Sequence, residues 1–320
     1  MSRHELEQDI GTRLALTQRE NDPIAKARLL DGVIDELIAD SNAVLDNYQD
    51  EICQFITDDH PDVRLIITKF IIHAIQVDLD SLTTLSTTIN ELLSDISSQV
   101  VRKSLIMLVH MCNLVAKHEK LDMPVKEALT DILAGVLARL SSDNDGIRTQ
   151  ALRTIESYCT LKDPQCEPMI QSARQSVKDF LKQPIISSGN IITGLYSLWR
   201  LAKFNPSRHL SFMIQQYESV HANLPPTLSA TQVENVRKIL KLQLLDILKT
   251  TPQTQPYHPQ ISQLLTDLGV KESEFNQAIS SSGGSKSEKR KRKEKNHRAT
   301  EMPPYPLGEK SGLTGPACRR

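Results

Sequence analysis

Residues 125–155 read VKEALTDILAGVLARLSSDNDGIRTQALRTI, and this stretch decides the fold. Its first half is apolar at steps of three and four residues, which places those side chains on one stripe of an α-helix. The stripe consists of Leu129, Ile132, Leu133, Val136, Leu137 and Leu140. After a polar segment, Ile147, Ala151 and Ile155 continue at four-residue steps. The stretch therefore predicts two amphipathic helices that meet at a turn.

The polar segment DNDG has the composition of a calcium-binding loop as well as that of a turn. With Gly146 as the sixth residue of an EF-hand loop, the first ligand would be Ser141 and the twelfth Leu152. An EF-hand needs Asp first and a bidentate Glu last, because Ca²⁺ takes roughly six to eight oxygens. The sequence therefore predicts no metal here, and it favours a structural turn whose Asp143 or Asn144 caps the next helix. The residues assigned to the turn are Asp143, Asn144, Asp145, Gly146 and Arg148.

The same kind of helix start recurs along the chain. A basic residue between a turn and an apolar run occurs at Arg64, Arg102, Arg148 and Arg237, with intervals of 38, 46 and 89 residues. The last interval equals about two steps, and Ile191 takes the intermediate place. Lys26 lies a further 38 residues before Arg64.

A period of roughly 40–47 residues is typical of HEAT and armadillo helix pairs, which bury their apolar stripes only against neighbouring pairs. The composition agrees, with 12 glycines and 4% aromatic residues, and straight-chain residues that favour helices dominate. We predict an all-α, right-handed HEAT/ARM-type helical-repeat solenoid of about six or seven antiparallel helix pairs.

The recurring basic residue has two interpretations. It could form a ladder that binds a ligand, or it could hydrogen-bond to carbonyls and acids of the neighbouring repeat. The second interpretation is the more common one in helix-pair solenoids, and we favour it.

The composition of the chain changes at residue 281. Residues 1–280 carry the repeat, whereas residues 281–320 are rich in Ser, Gly, Pro and charge and predict a disordered basic and proline-rich tail. Residues 286–298 carry a net charge of +6 and residues 299–320 of +1, so a total of −1 leaves −8 for residues 1–285. An acidic solenoid argues against a broad phosphate-binding surface, although a local basic patch remains compatible with it.

The tail contains the run KRKRKEK, which is typical of a nuclear localisation signal read by an import carrier. Its basic residues are Lys289, Arg290, Lys291, Arg292, Lys293 and Lys295. A solvated tail and an electrostatic contact with RNA are the alternatives. We favour import and predict a nuclear protein.

No other motif points to chemistry. The five cysteines are never spaced as C-x-x-C, and the histidines have neither a metal nor a triad spacing. No glycine-rich phosphate loop, nucleophile elbow or run of about 20 apolar residues occurs. We therefore expect a soluble intracellular protein that is not an enzyme and that uses no cofactor and no metal.

Three segments resemble the N-terminal HEAT-repeat domain of the symplekin family closely. They are SDNDGIRTQAL (142–152), HANLPPTL (221–228) and VRKILKLQLLDILK (236–249), while VVRKSLIML and LLTDLG resemble it more loosely. The similarity is collinear over roughly residues 20–280. It is carried mainly by the SDNDGIR and HANLPPTL strings.

This resemblance implies a non-enzymatic scaffold in pre-mRNA cleavage and polyadenylation, that is, in mRNA 3′-end processing. It also implies that the concave face binds and stimulates the phosphatase acting on the fifth-position serine of the RNA polymerase II C-terminal heptad repeat. Arg153 and Asn190 match family contacts, and with Lys238 and Lys241 they are the predicted partner-binding residues. Cleavage and polyadenylation factors are further expected partners, through regions beyond this chain, and direct RNA binding is not expected.

The chain departs from the family pattern at two places. Ile239 stands where the family has Asn after VRK, and the loop after the Arg148 helix is shortened to LKDPQCEPM. Family members also continue far beyond this length, so we expect a fragment or a short variant. A nucleic-acid-binding solenoid that uses the basic tail and the repeat arginines is the alternative function.

Overall fold

The computed structural model describes residues 3–39 and 45–283, which contain fourteen α-helices and no strand. The bounds are α1 Arg3–Arg19, α2 Pro23–Ala39, α3 Asp46–Cys53, α4 Pro61–Val77, α5 Ser81–Leu93, α6 Ser98–Val115, α7 Met123–Ala138, α8 Asp145–Tyr158, α9 Glu167–Leu181, α10 Ser188–Phe204, α11 Pro206–Ala222, α12 Ala230–Thr250, α13 His258–Asp267 and α14 Glu272–Gly283. Except for Gly283, the last residue of α14, they belong to a compact unit that ends at Ser282. The run predicted to be a nuclear localisation signal and the rest of the tail from residue 284 lie outside the described residues.

The helices pack in pairs and in rows. Each even-numbered helix from α2 to α10 contacts the next even-numbered helix, and we call α2, α4, α6, α8, α10 and α12 the even row. Helices α5, α7 and α9 contact one another in the same way behind it. The predicted all-α helix-pair class is confirmed, and fourteen helices agree with about seven pairs.

Burial follows from this arrangement. An odd-numbered helix such as α7 buries one stripe, including Leu129, Ile132, Leu133 and Val136. An even-row helix lies between two row neighbours and the odd-numbered helices, so α8 buries nine of its fourteen residues. A polar side chain of an even-row helix is therefore accessible only on the side of the helix that faces away from the odd-numbered helices.

The residues that recur with the repeat period lie near the starts of the even-row helices. Lys26, Arg64, Arg148 and Ile191 are each the fourth residue of their helix, and Arg102 is the fifth. Arg237 is the eighth residue of α12, because that helix begins about one turn earlier, at a capping box formed by Ser229 and Gln232.

Gly269 ends α13 as its position in the sequence suggests. Its φ is +77°, and the Val270 amide donates to the Leu265 carbonyl at 2.9 Å while the Gly269 amide donates to Thr266 at 2.9 Å. This is a Schellman end, which favours glycine because other residues are strained at positive φ. None of the described helices combines the length and the apolar character that a membrane crossing requires.

Gly135 allows α7 and α5 to approach closely. A Cβ atom at this position would lie 2.5 Å from Asn90 Oδ1 and 3.1 Å from Leu93 Cδ1. Alanine in place of a helical glycine ordinarily stabilises by about 0.5–1 kcal/mol, but overpacking a filled interface costs about 1–3 kcal/mol. We therefore expect Gly135→Ala to lower the free energy of unfolding by about 1 kcal/mol.

Urea denaturation checks this expectation, with Gly11→Ala in α1 as the control, since nothing lies within 4 Å of a Cβ there. The control should be as stable as the wild type or slightly more so. If Gly135→Ala raised the free energy of unfolding as the control does, this result would contradict the close approach of α7 and α5. Adding Asn90→Ala should recover part of the loss.

Candidate partner-binding surface

The first recurring basic residues bind acids of the next repeat. Lys26 Nζ on α2 lies 2.9 Å from Asp58 Oδ2, in the turn before α4. Arg64 on α4 donates to both carboxylate oxygens of Asp95, in the turn before α6, at 2.6 and 2.9 Å. At these two positions the basic residue is a structural link between repeats and not part of a ligand ladder.

The DNDG segment is a turn that caps α8. Asn144 Oδ1 accepts from the Gly146 amide at 2.9 Å and from the Ile147 amide at 3.2 Å. Arg148 closes the turn by donating to the Ser142 carbonyl at 2.8 Å and by binding Asp145. Within the part of the chain that the structure describes, no three His, Cys, Asp or Glu side chains are grouped to hold a metal.

Asp145 also connects this turn to α10. Burial alone would raise the pKa of its carboxyl, but hydrogen bonds from Arg148, Ser187 and Asn190 outweigh burial and hold that pKa below its usual value. The carboxylate therefore stays ionised and joins the first turns of two neighbouring even-row helices.

Asn190 is part of this connection. The residue is 1% exposed, its Nδ2 donates to Asp145 Oδ1 at 2.9 Å, and its Oδ1 accepts from Thr149 Oγ1 at 2.9 Å. Both ends of the amide are thus used between α8 and α10. A direct contact of Asn190 with a partner stays a prediction, and in this chain the side chain fixes the spacing of the two helices.

The other predicted partner-binding residues are more accessible. Arg153 on α8 is half-buried, and Lys238 on α12 is exposed. Lys241 points toward the C-terminal end, where its Nζ lies 3.8 Å from Glu274 Oε2 on α14. The structure thus places Arg153 and Lys238 on accessible parts of even-row helices and engages Lys241 with the terminal helix.

Two ion pairs join these helices, a buried one beside Arg153 and a half-exposed one between α10 and α12. Arg200 Nε on α10 lies 2.9 Å from Glu156 Oε1 on α8, one turn after Arg153. Lys203 Nζ on α10 lies 2.9 Å from Asp246 Oδ2 on α12. We call the outer surface of these three helices the α8–α12 face.

Sequence reasoning missed the apolar part of this face. Tyr196 on α10 is 41% exposed and Leu242 on α12 is 52% exposed. They lie five residues after Ile191 and Arg237, as Arg153 lies five residues after Arg148. Counting five residues from each recurring position in the sequence would have pointed to Tyr196 and Leu242.

The three helices that carry the α8–α12 face are also basic as a whole. Helices α8, α10 and α12 together carry eight Lys or Arg against four Asp or Glu, although residues 1–285 have a net charge of −8. The arrangement can therefore attract a negatively charged partner and bury apolar side chains in contact with it.

The shortened loop before α9 is held in place by Asp163. Its Oδ2 accepts from the Leu121 amide at 2.8 Å and lies 3.4 Å from Lys126 Nζ, and the residue is buried. Ile239, the second departure from the family pattern, packs half-buried against the core. These residues contribute to packing in this chain.

Comparison with known proteins finds a family match in the C-terminal part of the chain. Residues 171–293 match the family model described as Symplekin/PTA1 N-terminal. The resemblance to the symplekin family is confirmed over these residues, which include α10 and α12 of the α8–α12 face. The match implies a role in the scaffold of mRNA 3′-end processing.

Two engineered proteins of known crystal structure are also similar to this chain. The first has 13% identity and a TM-score of 0.41, and the match covers 73% of this chain and 94% of the engineered one. The second has 12% identity and a TM-score of 0.32, with 86% and 77% covered.

Proposed function

We propose that this chain is a non-enzymatic scaffold in pre-mRNA cleavage and polyadenylation. On this proposal it binds and stimulates the phosphatase that acts on the fifth-position serine of the RNA polymerase II C-terminal heptad repeat. The observation that carries the proposal is the family match over residues 171–293, which contain two of the three helices of the α8–α12 face.

The α8–α12 face supports this proposal because it is an accessible, mixed surface. It has a local excess of basic residues and two exposed large apolar side chains, Tyr196 and Leu242. Surfaces of this kind are common at protein–protein interfaces, where buried anchors lie inside a polar rim. We assign Arg153 and Lys238 to the rim, with Asn190 holding α8 and α10 at the required spacing.

The localisation that fits this function is the nucleus. The basic run from Lys289 to Lys295 follows the described helices in the sequence, and its six Lys or Arg residues suit recognition by an import carrier. Contacts with cleavage and polyadenylation factors complete the proposed set of partners.

Arg153→Glu is expected to weaken phosphatase binding by about tenfold or more, because the substitution replaces a cation at the rim with an anion. An acidic surface on the partner would repel that anion. Lys238→Glu, at an exposed position, should weaken it in the same direction. The measurement is the affinity of each purified full-length variant for the purified phosphatase, with thermal denaturation to show that both variants fold.

Arg28→Glu is the matched control, since Arg28 is exposed on α2 at the other end of the even row. It should bind as the wild type does. Unchanged affinity in both face variants would remove the α8–α12 face from the proposal, and a wild-type chain that does not bind the phosphatase would refute the proposed function.

A further inference from the structure

We propose that Tyr196 and Leu242 form a paired apolar anchor, which inserts into an apolar pocket with an acidic rim on a folded protein partner. This inference rests on the proposed function and names the contact that holds the phosphatase. It assigns the main binding contribution to two side chains that the family resemblance does not mark.

The two side chains flank one hydrogen bond between α10 and α12. The Tyr196 ring packs edge-on against Trp199, with ring centroids 6.2 Å apart. Trp199 Nε1 donates to Asp246 Oδ2 at 3.0 Å, and Asp246 lies one turn after Leu242 on α12. Tyr196 and Leu242 are thus within about one helical turn of the same hydrogen bond, on adjacent helices.

This support restricts the Tyr196 side chain and joins the two helices that carry the anchors. Lys203 binds Asp246 at 2.9 Å and lies 4.7 Å from the centre of the Trp199 ring, so α10 and α12 are fixed together beneath the pair. A tyrosine held against a neighbouring ring loses little conformational entropy when it binds. Interface residues of this kind are frequent hot spots.

The charges around the anchor select the kind of partner. Arg153 on α8 takes the repeat position of Tyr196 and Leu242, Lys238 lies one turn before Leu242 on α12, and the three helices carry eight basic against four acidic residues. A partner that is acidic around an apolar pocket complements this face, whereas a basic partner is repelled.

The same face is poorly suited to single-stranded RNA. Bases need aromatic faces on which to stack. Lys203 covers one face of Trp199 and Leu242 offers no ring, so Tyr196 is the one exposed ring of the pair. These contacts favour a protein pocket as the occupant.

The test is the binding kinetics of the full-length chain with the purified phosphatase. Tyr196→Ala and Leu242→Ala should each raise Kd at least about tenfold, mainly through faster dissociation, because truncating an anchor changes the off-rate more than the on-rate. Lys238→Glu should instead slow association and alter the salt dependence.

Leu16→Ala is the matched control, since Leu16 is 56% exposed on α1 and Leu242 is 52% exposed on α12. The control should bind as the wild type does, and all three alanine variants should keep the wild-type melting temperature. If the wild type binds and Arg153→Glu weakens it while Tyr196→Ala and Leu242→Ala leave Kd unchanged, the anchor is refuted and the proposed function stands.

Two other results would also overturn the anchor. A wild-type chain without affinity for the phosphatase would refute the proposed function and the anchor together. A labelled single-stranded RNA that binds more tightly than the phosphatase, and is lost in Tyr196→Ala, would reassign the face to nucleic acid.

Discussion

Arg64→Ala is expected to lower the free energy of unfolding by about 3–5 kcal/mol, because it leaves the carboxylate of Asp95 buried without its cation. The two side chains are 7% and 6% exposed, and the guanidinium binds both oxygens of the carboxylate. Arg64 Nη1 also donates to the carbonyls of Asp58 and Asp59 at 2.6 and 3.0 Å, so the substitution removes the donor of four acceptors in total. Urea denaturation of the wild type and the variant measures the loss.

Lys69→Ala provides a matched comparison on the same helix. Lys69 binds Asp31 and Asp35 on α2, but its side chain is 36% exposed and those of the acids are 48% and 61% exposed. Pairs that are this accessible contribute about 0–1 kcal/mol. Similar losses in Arg64→Ala and Lys69→Ala would contradict the view that Arg64 is the main polar link between the repeats of α4 and α6.

Asp95→Ala completes a double-mutant cycle with Arg64→Ala. Since both single variants break the same pair, the double variant should lose clearly less than the sum of the two single losses. Ser97 also loses an acceptor for its amide, which bonds to Asp95 Oδ1 at 2.6 Å, so the double variant is not expected to reach wild-type stability.

The repeat architecture could be predicted from the sequence because its signals are local. Helix starts require a cap and a turn, and the period of Lys26, Arg64, Arg102, Arg148 and Ile191 marks the start of five even-row helices. The Arg237 position differs because the capping box at Ser229 adds about one turn before it. The spacing of the recurring residues therefore does not reveal that α12 begins about one turn earlier than the period predicts.

The candidate surface was less predictable because exposure depends on neighbouring helices. Asn190 matches a family contact by its position in the sequence, yet Asp145 and Thr149 of α8 occupy its amide. Tyr196 and Leu242 continue apolar patterns that indicate a helix, but periodicity alone does not say which apolar residues remain uncovered. Only the packing of α8, α10 and α12 shows that the Asn190 side chain is buried and that Tyr196 and Leu242 are exposed.

The stability of the chain is expected to fall as the pH is lowered from about 6.5, because His209 must stay neutral in the folded state. The residue is 2% exposed on α11. Burial first, and then the positive charges of Arg174 and Arg208, lower its pKa to about 3, while a hydrogen bond with the Cys159 backbone opposes the shift.

The direction of this pH dependence follows from the number of protons that the folded and the unfolded chain bind at His209. Between about pH 6.5, where an unfolded histidine titrates, and about pH 3, the unfolded chain carries a proton at this position and the folded chain does not. The stabilising contribution is therefore complete above pH 6.5 and is lost progressively as the pH falls toward 3. At pH 5 the loss amounts to about 2 kcal/mol.

His209→Gln isolates this contribution, since glutamine is polar, of similar length and does not titrate. Urea denaturation at pH 7.5, 6 and 5 should show a decline for the wild type that is about 2 kcal/mol steeper than for His209→Gln. His118→Gln, at an exposed position after α6, should keep the wild-type decline. Equal pH dependence in the wild type and His209→Gln would mean that the histidine accepts a proton without cost, and therefore that burial and the charges of Arg174 and Arg208 do not lower its pKa in the folded chain.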